Sequence, residues 1–525
     1  MLASANATAL NLNSEGEGQA LIFPYYTVNG GNSTLISLQN RTPYGKALRV
    51  RFHEAQNGRD VLEFNLYLAP SDVWTAAVYS LSDGGPAVLS TDDESCTVPA
   101  IKHNSTLPQT ASGRRYVPLS NFAYSGPHDD AGTDSVLRTR SGHIEVIEMG
   151  VVTNGEGAGA QHTLDAISFG AGWQPRDCAQ VIDAWSPFAA AAGAYWLQDP
   201  VGAIDLLPPT DANGGGHIVG SAGIVNFAKG TQLTYLADAI EGFSVSVLHT
   251  RPDNGSKPQL SDANWPGADG ATAQWFDGGE LQSARYAAGR AIDAVSALFT
   301  QEVIHNEFVA YSVLASEWVL TFPTKRFYVD PERIQESIAP FTQRFESNAL
   351  VGAGAGVGWH ARHFDREMRE AQDEHCYDYA VQMNFCGQLL PTPLTPEPRL
   401  YDEANVIAIG QQVDQVVSRI LGAPRPQPFD LQDGFIDGHL SIQFWDVDSP
   451  YFDGILDQAI SRPDLDGNRL VGLPVTGFWI SQTSTYSVLA NFAGIWRHRG
   501  TRCRVHSGEQ EDSACPLTIP VRDSD

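Results

Sequence analysis

Between Leu21 and Ala76 apolar and polar side chains alternate with a period of two. That pattern commits a segment to extended backbone, because successive side chains of a strand point to opposite faces. Leu62, Phe64, Leu66 and Leu68 alternate with Val61, Glu63, Asn65 and Tyr67. Leu48, Val50 and Phe52 repeat the pattern against Arg49, Arg51 and His53, and the polar Ala55 to Asp60 stretch between the two runs has a glycine at its turn. The pair reads as a β-hairpin. A shorter run, Thr34 to Leu38, follows the Asn29-Gly30-Gly31-Asn32 turn, and Pro70-Ser71-Asp72 precedes a further strand, Val73 to Val78. Strands spaced this evenly predict a mainly β chain of immunoglobulin-like β-sandwich domains with long loops and a few short helices.

Composition shifts divide the chain into an N-terminal arm over 1–20, a sandwich with a long loop insertion over 21–155, a second β-rich region with short helices over 156–335 and a C-terminal β-rich region over 336–525. The arm is polar from Ala7 to Gln19, which suits a frayed end or a strand donated to a neighbouring molecule. Leu81 to Asp134 reads as a long loop excursion. Strand patterns recur at His143 to Val152, Glu317 to Phe322, Arg326 to Val329, Val406 to Ile409, Leu440 to Val447, Gly477 to Thr483 and Tyr486 to Phe492. Helical periodicity is best from Ala287 to Thr300, where Ile292, Val295, Leu298 and Phe299 share a face; weaker cases are Val181 to Trp196 and a turn or two over Thr234 to Ile240.

The 61 acidic residues outweigh 33 basic ones for a formal charge of -28, with only five lysines. Nucleic acid is excluded as an expected partner, since neutralising phosphates needs clustered cations. Anionic membrane surfaces are disfavoured on the same ground, and no apolar run has the length of a membrane span. Cys96, Cys178, Cys376, Cys386, Cys503 and Cys515 include no C-x-x-C pair, so zinc-finger and thioredoxin-like spacings are absent. Structural disulfides are expected, with proximity favouring Cys376–Cys386 and Cys503–Cys515 and leaving Cys96–Cys178, although six cysteines allow other pairings.

Motifs of catalysis are missing: there is no G-x-S-x-G elbow, no H-E-x-x-H helix and no phosphate-binding G-x-x-x-x-G-K-[ST] loop. Gly352, Gly354, Gly356 and Gly358 do not complete a dinucleotide fingerprint, because Trp359 stands where its third glycine belongs. His360, His363 and His375 with Asp365 have no specific metal spacing, and exposed loop histidines are the default reading. Asp464, Asp466 and Asn468 resemble the start of a calcium loop without its closing glutamate; the competing reading is a plain Asp-Gly turn. A weaker case of the same kind is Asp446, Asp448 and Asp453. Trp445, Trp479 and Trp496 lie on strand-like segments where an outward ring would stack on a sugar, against the commoner fate of core packing.

Six blocks carry a resemblance: LIFPYYTVNGGNSTLIS, RVRFHE, NGRDVLEFNLYLAPSDVWTA, GSAGIVNFAKGT, SEWVLTFPTKRFYVD and VGLPVTGFW. Together they resemble a family of largely uncharacterised secreted or cell-surface proteins of Gram-negative bacteria. The resemblance implies an extracellular setting and supplies no catalytic residue. Ala3-Ser4-Ala5 has the small-x-small form of a signal-peptidase site, so export by a signal peptide not contained in this sequence is expected. The function expected is that of a secreted structural or interaction protein, self-assembling into a filament or surface layer through its arm, with other copies of itself or cell-surface components as partners. The alternatives are a glycan-binding adhesin and a secreted glycan-active hydrolase, and calcium is the one cofactor considered.

Overall fold

The computed structural model describes residues 9–153, 163–170, 172–186, 196, 206–252, 257–264, 270–311, 314–348, 352–371, 377–378, 383–384, 399–410, 417–445, 459–483 and 492–506. Alternation decides the first half. Strands β1 (Ala20–Thr27), β2 (Asn32–Asn40), β3 (Gly45–Glu54), β4 (Asp60–Leu68), β5 (Val73–Ser80), β6 (Ser141–Val152), β7 (Ile218–Asn226) and β8 (Thr231–Leu236) form two facing antiparallel sheets. The first runs β1-β6-β3-β4, extended beyond β1 by Asp238–Glu241 and Asn11–Asn13 and beyond β4 by Cys96–Val98; the second runs β5-β2-β7-β8, extended beyond β5 by Ala87–Ser90 and Val117–Pro118. Phe23, Val50, Phe52, Phe64, Leu66 and Ile144 from one sheet meet Ile36, Leu38, Trp74, Val78 and Ile224 from the other.

A second sandwich follows. Strands β9 (Val303–Val309), β11 (Val357–Asp365) and β13 (Asp437–Trp445) belong to one five-stranded sheet, and β10 (Leu314–Thr321), β12 (Ala404–Ile409), β14 (Thr476–Thr483) and β15 (Phe492–Arg497) to the other. Trp318, Leu320, Ile407 and Trp479 face Ile304, Phe308, Leu440, Ile442 and Phe444 across this layer. The other side of the β10-containing sheet, through Val319, Val406, Phe478 and Ile480, joins the core of the first sandwich, so the apolar interior is continuous. Helices are short: besides Thr163–Ile167 there are α1 (Cys178–Ala184), α2 (Ala291–Phe299) and α3 (Arg326–Val329). Among the described residues no helix is long and apolar enough to cross a membrane.

Several expectations change. Thr234 to Ile240 is strand rather than helix, because Thr231, Leu233 and Tyr235 are buried alternately against β7 and the segment then joins the opposite sheet. Arg326 to Val329 is one helical turn rather than strand: the Phe322-Pro323-Thr324-Lys325 reversal carries straight on into it, with the Tyr328 N–H bonded to the Lys325 carbonyl. The region 156–335 divides, its strands over 218–241 completing the first sandwich and those over 303–321 starting the second. Over its described residues the arm is paired within its own chain rather than frayed. Asn11–Asn13 pairs with Ala239–Glu241, and Glu17–Gly18 pairs with Ile218 and Val219, so the arm crosses from one sheet to the other within its own chain. Gly18 makes this crossing feasible, since a Cβ there would lie 2.6 Å from the Ile240 carbonyl oxygen. The strand expected at Tyr486 to Phe492 falls, before Phe492, outside the described residues, as do Asp446, Asp448 and Asp453.

Candidate functional site

The polar face of the β3–β4 hairpin is not a solvent face. Arg49, Arg51 and His53 are each 1 % exposed. Register explains which groups meet, because directly opposed residues of neighbouring strands share a face. Central strand β3 lies between β4 and β6, so Arg51 stands opposite Glu63 and Glu145, and His53 opposite Asp60 and His143. Arg51 is bound to Glu63 at 2.9 Å and to the Pro258 carbonyl at 3.0 Å, while Arg49 reaches the Thr250 and Arg251 carbonyls at 2.8 and 2.9 Å.

From the second sandwich α3 delivers Arg326 into this face. Its guanidinium donates to Glu403 Oε1 at 2.7 Å and to Glu145 Oε1, and it lies 3.4 Å from the Nε2 atoms of both His53 and His143. The two imidazoles stack at 4.6 Å with 21° between their planes, and His53 Nδ1 is 2.8 Å from Asp60 Oδ1. Burial and the Arg326 charge oppose protonation of His53, but Glu145 and Asp60 outweigh them and raise its pKa above the histidine norm. Burial pushes His143 down to about 3, so the stacked pair holds its charge on His53. Glu145 is ionised despite burial because Arg326 and His53 hold its pKa well below the ordinary value, whereas burial pushes Glu403 up to about 7, with Glu145 nearby adding repulsion against the pull of Arg326.

Around this centre the hairpin tip is pinned on every side. Glu54 accepts the backbone N–H groups of Gln56 at 2.7 Å and Asn57 at 2.8 Å, and it is paired at 2.9 Å with Arg138, which also holds Asp130 at 2.6 Å. Arg59 crosses to Asp330 at 2.9 Å and Glu332 at 2.6 Å. The Gln56 and Ala55 carbonyls accept from the N–H groups of Glu403 and Ala404. Gly58, at φ +66, is required by this docking, because a Cβ would lie 2.1 Å from Glu403 Oε2.

A second contact zone joins the same two sandwiches. Thr27 Oγ1 donates to the Leu421 carbonyl at 3.1 Å and Asn32 Nδ2 to the Ile420 carbonyl at 3.0 Å, while the buried Glu317 carboxylate accepts both N–H groups of Ile420 and Leu421 at 2.7 and 3.0 Å. Thr321 Oγ1 donates to the Pro24 carbonyl at 2.6 Å. The blocks LIFPYYTVNGGNSTLIS and SEWVLTFPTKRFYVD thus face the same junction.

Chemically, the cluster can hold a cation, share a proton and lock two bodies together. His53, His143 and Glu145 place donor atoms within 4.8 Å of one another, the N,N,O set a metal would use. Here the Arg326 guanidinium already stands among them, bound at two carboxylates and next to both ring nitrogens, so the cation this group grips belongs to the chain.

The residues singled out from sequence are placed elsewhere. Asp464 Oδ1 accepts the N–H groups of Asp466 at 2.9 Å and Asn468 at 2.8 Å, its other oxygen is 2.8 Å from Arg504, and Asp466 pairs with Arg285 at 2.8 Å. These are the bonds of an Asp-Gly turn, with Gly467 at φ +81. His360 and His363 lie on opposite faces of β11, His363 packing against Phe308, Phe429 and Phe435, and Asp365 pairs with Arg369. Cys96 and Cys178 form a disulfide and Cys503 is disulfide-bonded, while Cys376, Cys386, Cys515 and His375 lie outside the described residues. Trp479 is buried and stacks at 4.4 Å on Trp496, which is 48 % exposed. Sequence reasoning passed over Arg51, His53, His143, Glu145, Arg326 and Glu403. A signal was present: charges of both signs alternate with core residues on β3, β4 and β6, too many for one wet face. Compared with family models, curated proteins and solved structures, the chain matches none.

Proposed function

We propose that this chain is a secreted cell-surface structural or interaction protein, a rigid pair of sandwiches that presents loops and edges to a partner. The observation that carries the reading is the Cys96–Cys178 disulfide, which ties Cys96–Val98 to α1 across 82 residues; such bonds persist in oxidising, extracellular settings. The ionic junction supports it, because buried charges paired across two bodies tie their relative orientation to particular partners. Assembly into a filament or surface layer would require the arm over 9–19 to leave its own sheets and pair with another copy. The test is protease accessibility on intact cells, together with the mass of the purified protein by light scattering, with and without the arm and with and without calcium. Surface exposure with arm-dependent oligomers supports an assembly subunit, and a protease-protected intracellular protein rejects the reading.

A glycan-binding role is the second reading. It is favoured by aromatic side chains held at the surface: Trp496 on β15, with Phe492 at 71 % exposure on the same strand, and Trp173 at 87 %.

A further inference from the structure

We infer that the outer face of the β5-β2-β7-β8 sheet is a contact surface on which a second copy of this chain packs, sheet on sheet. The inference rests on the reading of the chain as an interaction protein and names one partner for it. Register defines the face. Ala77, Leu35, Gly223 and Thr234 stand opposite one another across the four strands. The next rung is Thr75, Ser37, Ser221 and Leu236, and Val73, Gln39 and Val219 make a third. The residues between them along each strand, such as Trp74, Ile36, Ala222 and Tyr235, point the other way into the core of the first sandwich. Leu35, Val73 and Leu236 are 40, 42 and 51 % exposed, so the face is open to water.

No residue of these four strands, NSTLISLQN, VWTAAVYS, IVGSAGIVN and TQLTYL, is charged, in a chain with 61 acidic and 33 basic residues. Elsewhere the chain does charge a wet sheet face: the outer side of the β9-β11-β13 sheet presents Glu307, Arg362 and, beyond β9, Arg499. Charges border the uncharged face only at its margins. Glu17, opposite Val219, is bound to Arg41 and to His217, and Asp93 accepts the Thr75 N–H at the edge of β5. A solvated antiparallel face is ordinarily polar, whereas depletion of charge marks the centre of an interface. Charge also selects the occupant. Two chains of formal charge -28 repel, so they meet most readily where neither brings a charge, and a basic partner gains nothing from this face. A two-fold axis through the sheet sets the face against itself, and its small side chains let the two sheets close to about 10 Å. Strands of six to nine residues, four abreast, cover roughly 400 Å² in outline. With both partners and side-chain relief counted, the contact comes near the roughly 1,200 Å² at which specific interfaces begin, so the dimer is a weak one.

The test is sedimentation velocity on the full chain from about 1 to 200 μM, in about 50 and about 500 mM NaCl. A reversible dimer with a micromolar dissociation constant is expected, tightened about fivefold or more at the higher salt, where the repulsion between like-charged chains is screened. Leu35→Glu and Thr234→Glu, both at exposed positions of one rung, each weaken the dimer about tenfold or more while Tm and the near-UV circular dichroism stay those of the wild type. Ser283→Glu adds the same charge at an exposed position of the hairpin formed by Ala271–Asp277 and Glu280–Tyr286, and it leaves the dimer intact. The inference is overturned by a monomer throughout the range, by an oligomer that Leu35→Glu and Thr234→Glu leave unchanged, or by a dimer that the higher salt dissociates. It is overturned also by a monomer whose attachment to other cell-surface material these two substitutions abolish, since the face then serves a different occupant. A surface-exposed monomer defeats this contact and leaves the function proposed above standing; a protease-protected intracellular protein whose dimer these substitutions break does the reverse.

Discussion

Arg326 concentrates the energetics of the junction in one side chain. Replacing it by methionine leaves Glu145 and Glu403 buried without their cation, and breaking a buried pair in this way costs about 3–5 kcal/mol. Urea unfolding of Arg326→Met is expected to show that loss, and Arg326→Lys to recover only part of it, because an ammonium cannot reproduce the planar fork that serves two carboxylates at once. Gly58→Ala attacks the same contact from the other side. It forces a left-handed φ on alanine and a methyl onto Glu403, so a destabilisation of about 2 kcal/mol or more is expected by the same measurement. The histidine pair adds a pH signature. His143 has a folded pKa of about 3 against 6.5 in the unfolded chain, so its contribution is whole above 6.5 and is lost as the pH falls toward 3, where the unfolded chain takes up a proton the folded one refuses. His53 is raised, so its contribution is whole below 6.5 and is lost as the pH climbs through its folded value. Between pH 6.5 and 5 the wild type should therefore lose stability relative to His143→Asn, and an unchanged difference across that range would refute the assignment of charge to His53.

At the level of elements, the β3–β4 hairpin and the arm show how one strand pattern serves two purposes. The hairpin turns its apolar face to the first core, and its charged face is covered by the 250–258 segment and by Arg326 of the second sandwich, so both faces are buried. The arm fills the open side of the first sandwich, contributing Asn11–Asn13 to one sheet and Glu17–Gly18 to the other. Deleting residues 1–19 strips both pairings and removes Leu10, which is 1 % exposed, from the core, so Tm should fall by several degrees even where the oligomeric state is unchanged. The Cys96–Cys178 bond stabilises by a different route. Closing a loop of 82 residues restricts the unfolded chain by up to about 4.5 kcal/mol in the chain-entropy account. Cys96→Ala with Cys178→Ala is expected to lower the urea midpoint correspondingly, and dithiothreitol should have much less effect on that variant than on the wild type.

For the whole molecule, the continuous apolar interior and the ionic junction predict one cooperative unit. Calorimetry should give a single transition with equal calorimetric and van't Hoff enthalpies. A fragment ending near residue 300 would expose Glu145, His143 and the hairpin tip without Arg326 and Glu403, and it should be loosely packed by near-UV circular dichroism and dye binding. An isolated fragment with native-like near-UV signal and a sharp melt would show instead that the sandwiches are independent.

The sequence by itself determined the local geometry. Period-two alternation is a property of neighbours along the chain, so strands β2 to β6, the hairpin turn at Gly58 and the helical face of Ile292, Val295 and Leu298 were legible without a third dimension, and cysteine spacing left Cys96 with Cys178. Thr234 to Ile240 and Arg326 to Val329 were misread because each is too short for its own pattern to outweigh tertiary pairing or a preceding turn. The candidate site left only a weak trace in the sequence, the charges of both signs that alternate along β3, β4 and β6. Alternation says that Arg51 and His53 share a face but not what covers it, and a charged face is ordinarily solvated. Only the return of the chain, which brings Arg326 and Glu403 from more than 270 residues away onto that face, turned a polar stripe into a buried junction. Coulombic pairing in a low-dielectric interior depends on distances in space, and those exist only once the two sandwiches have met.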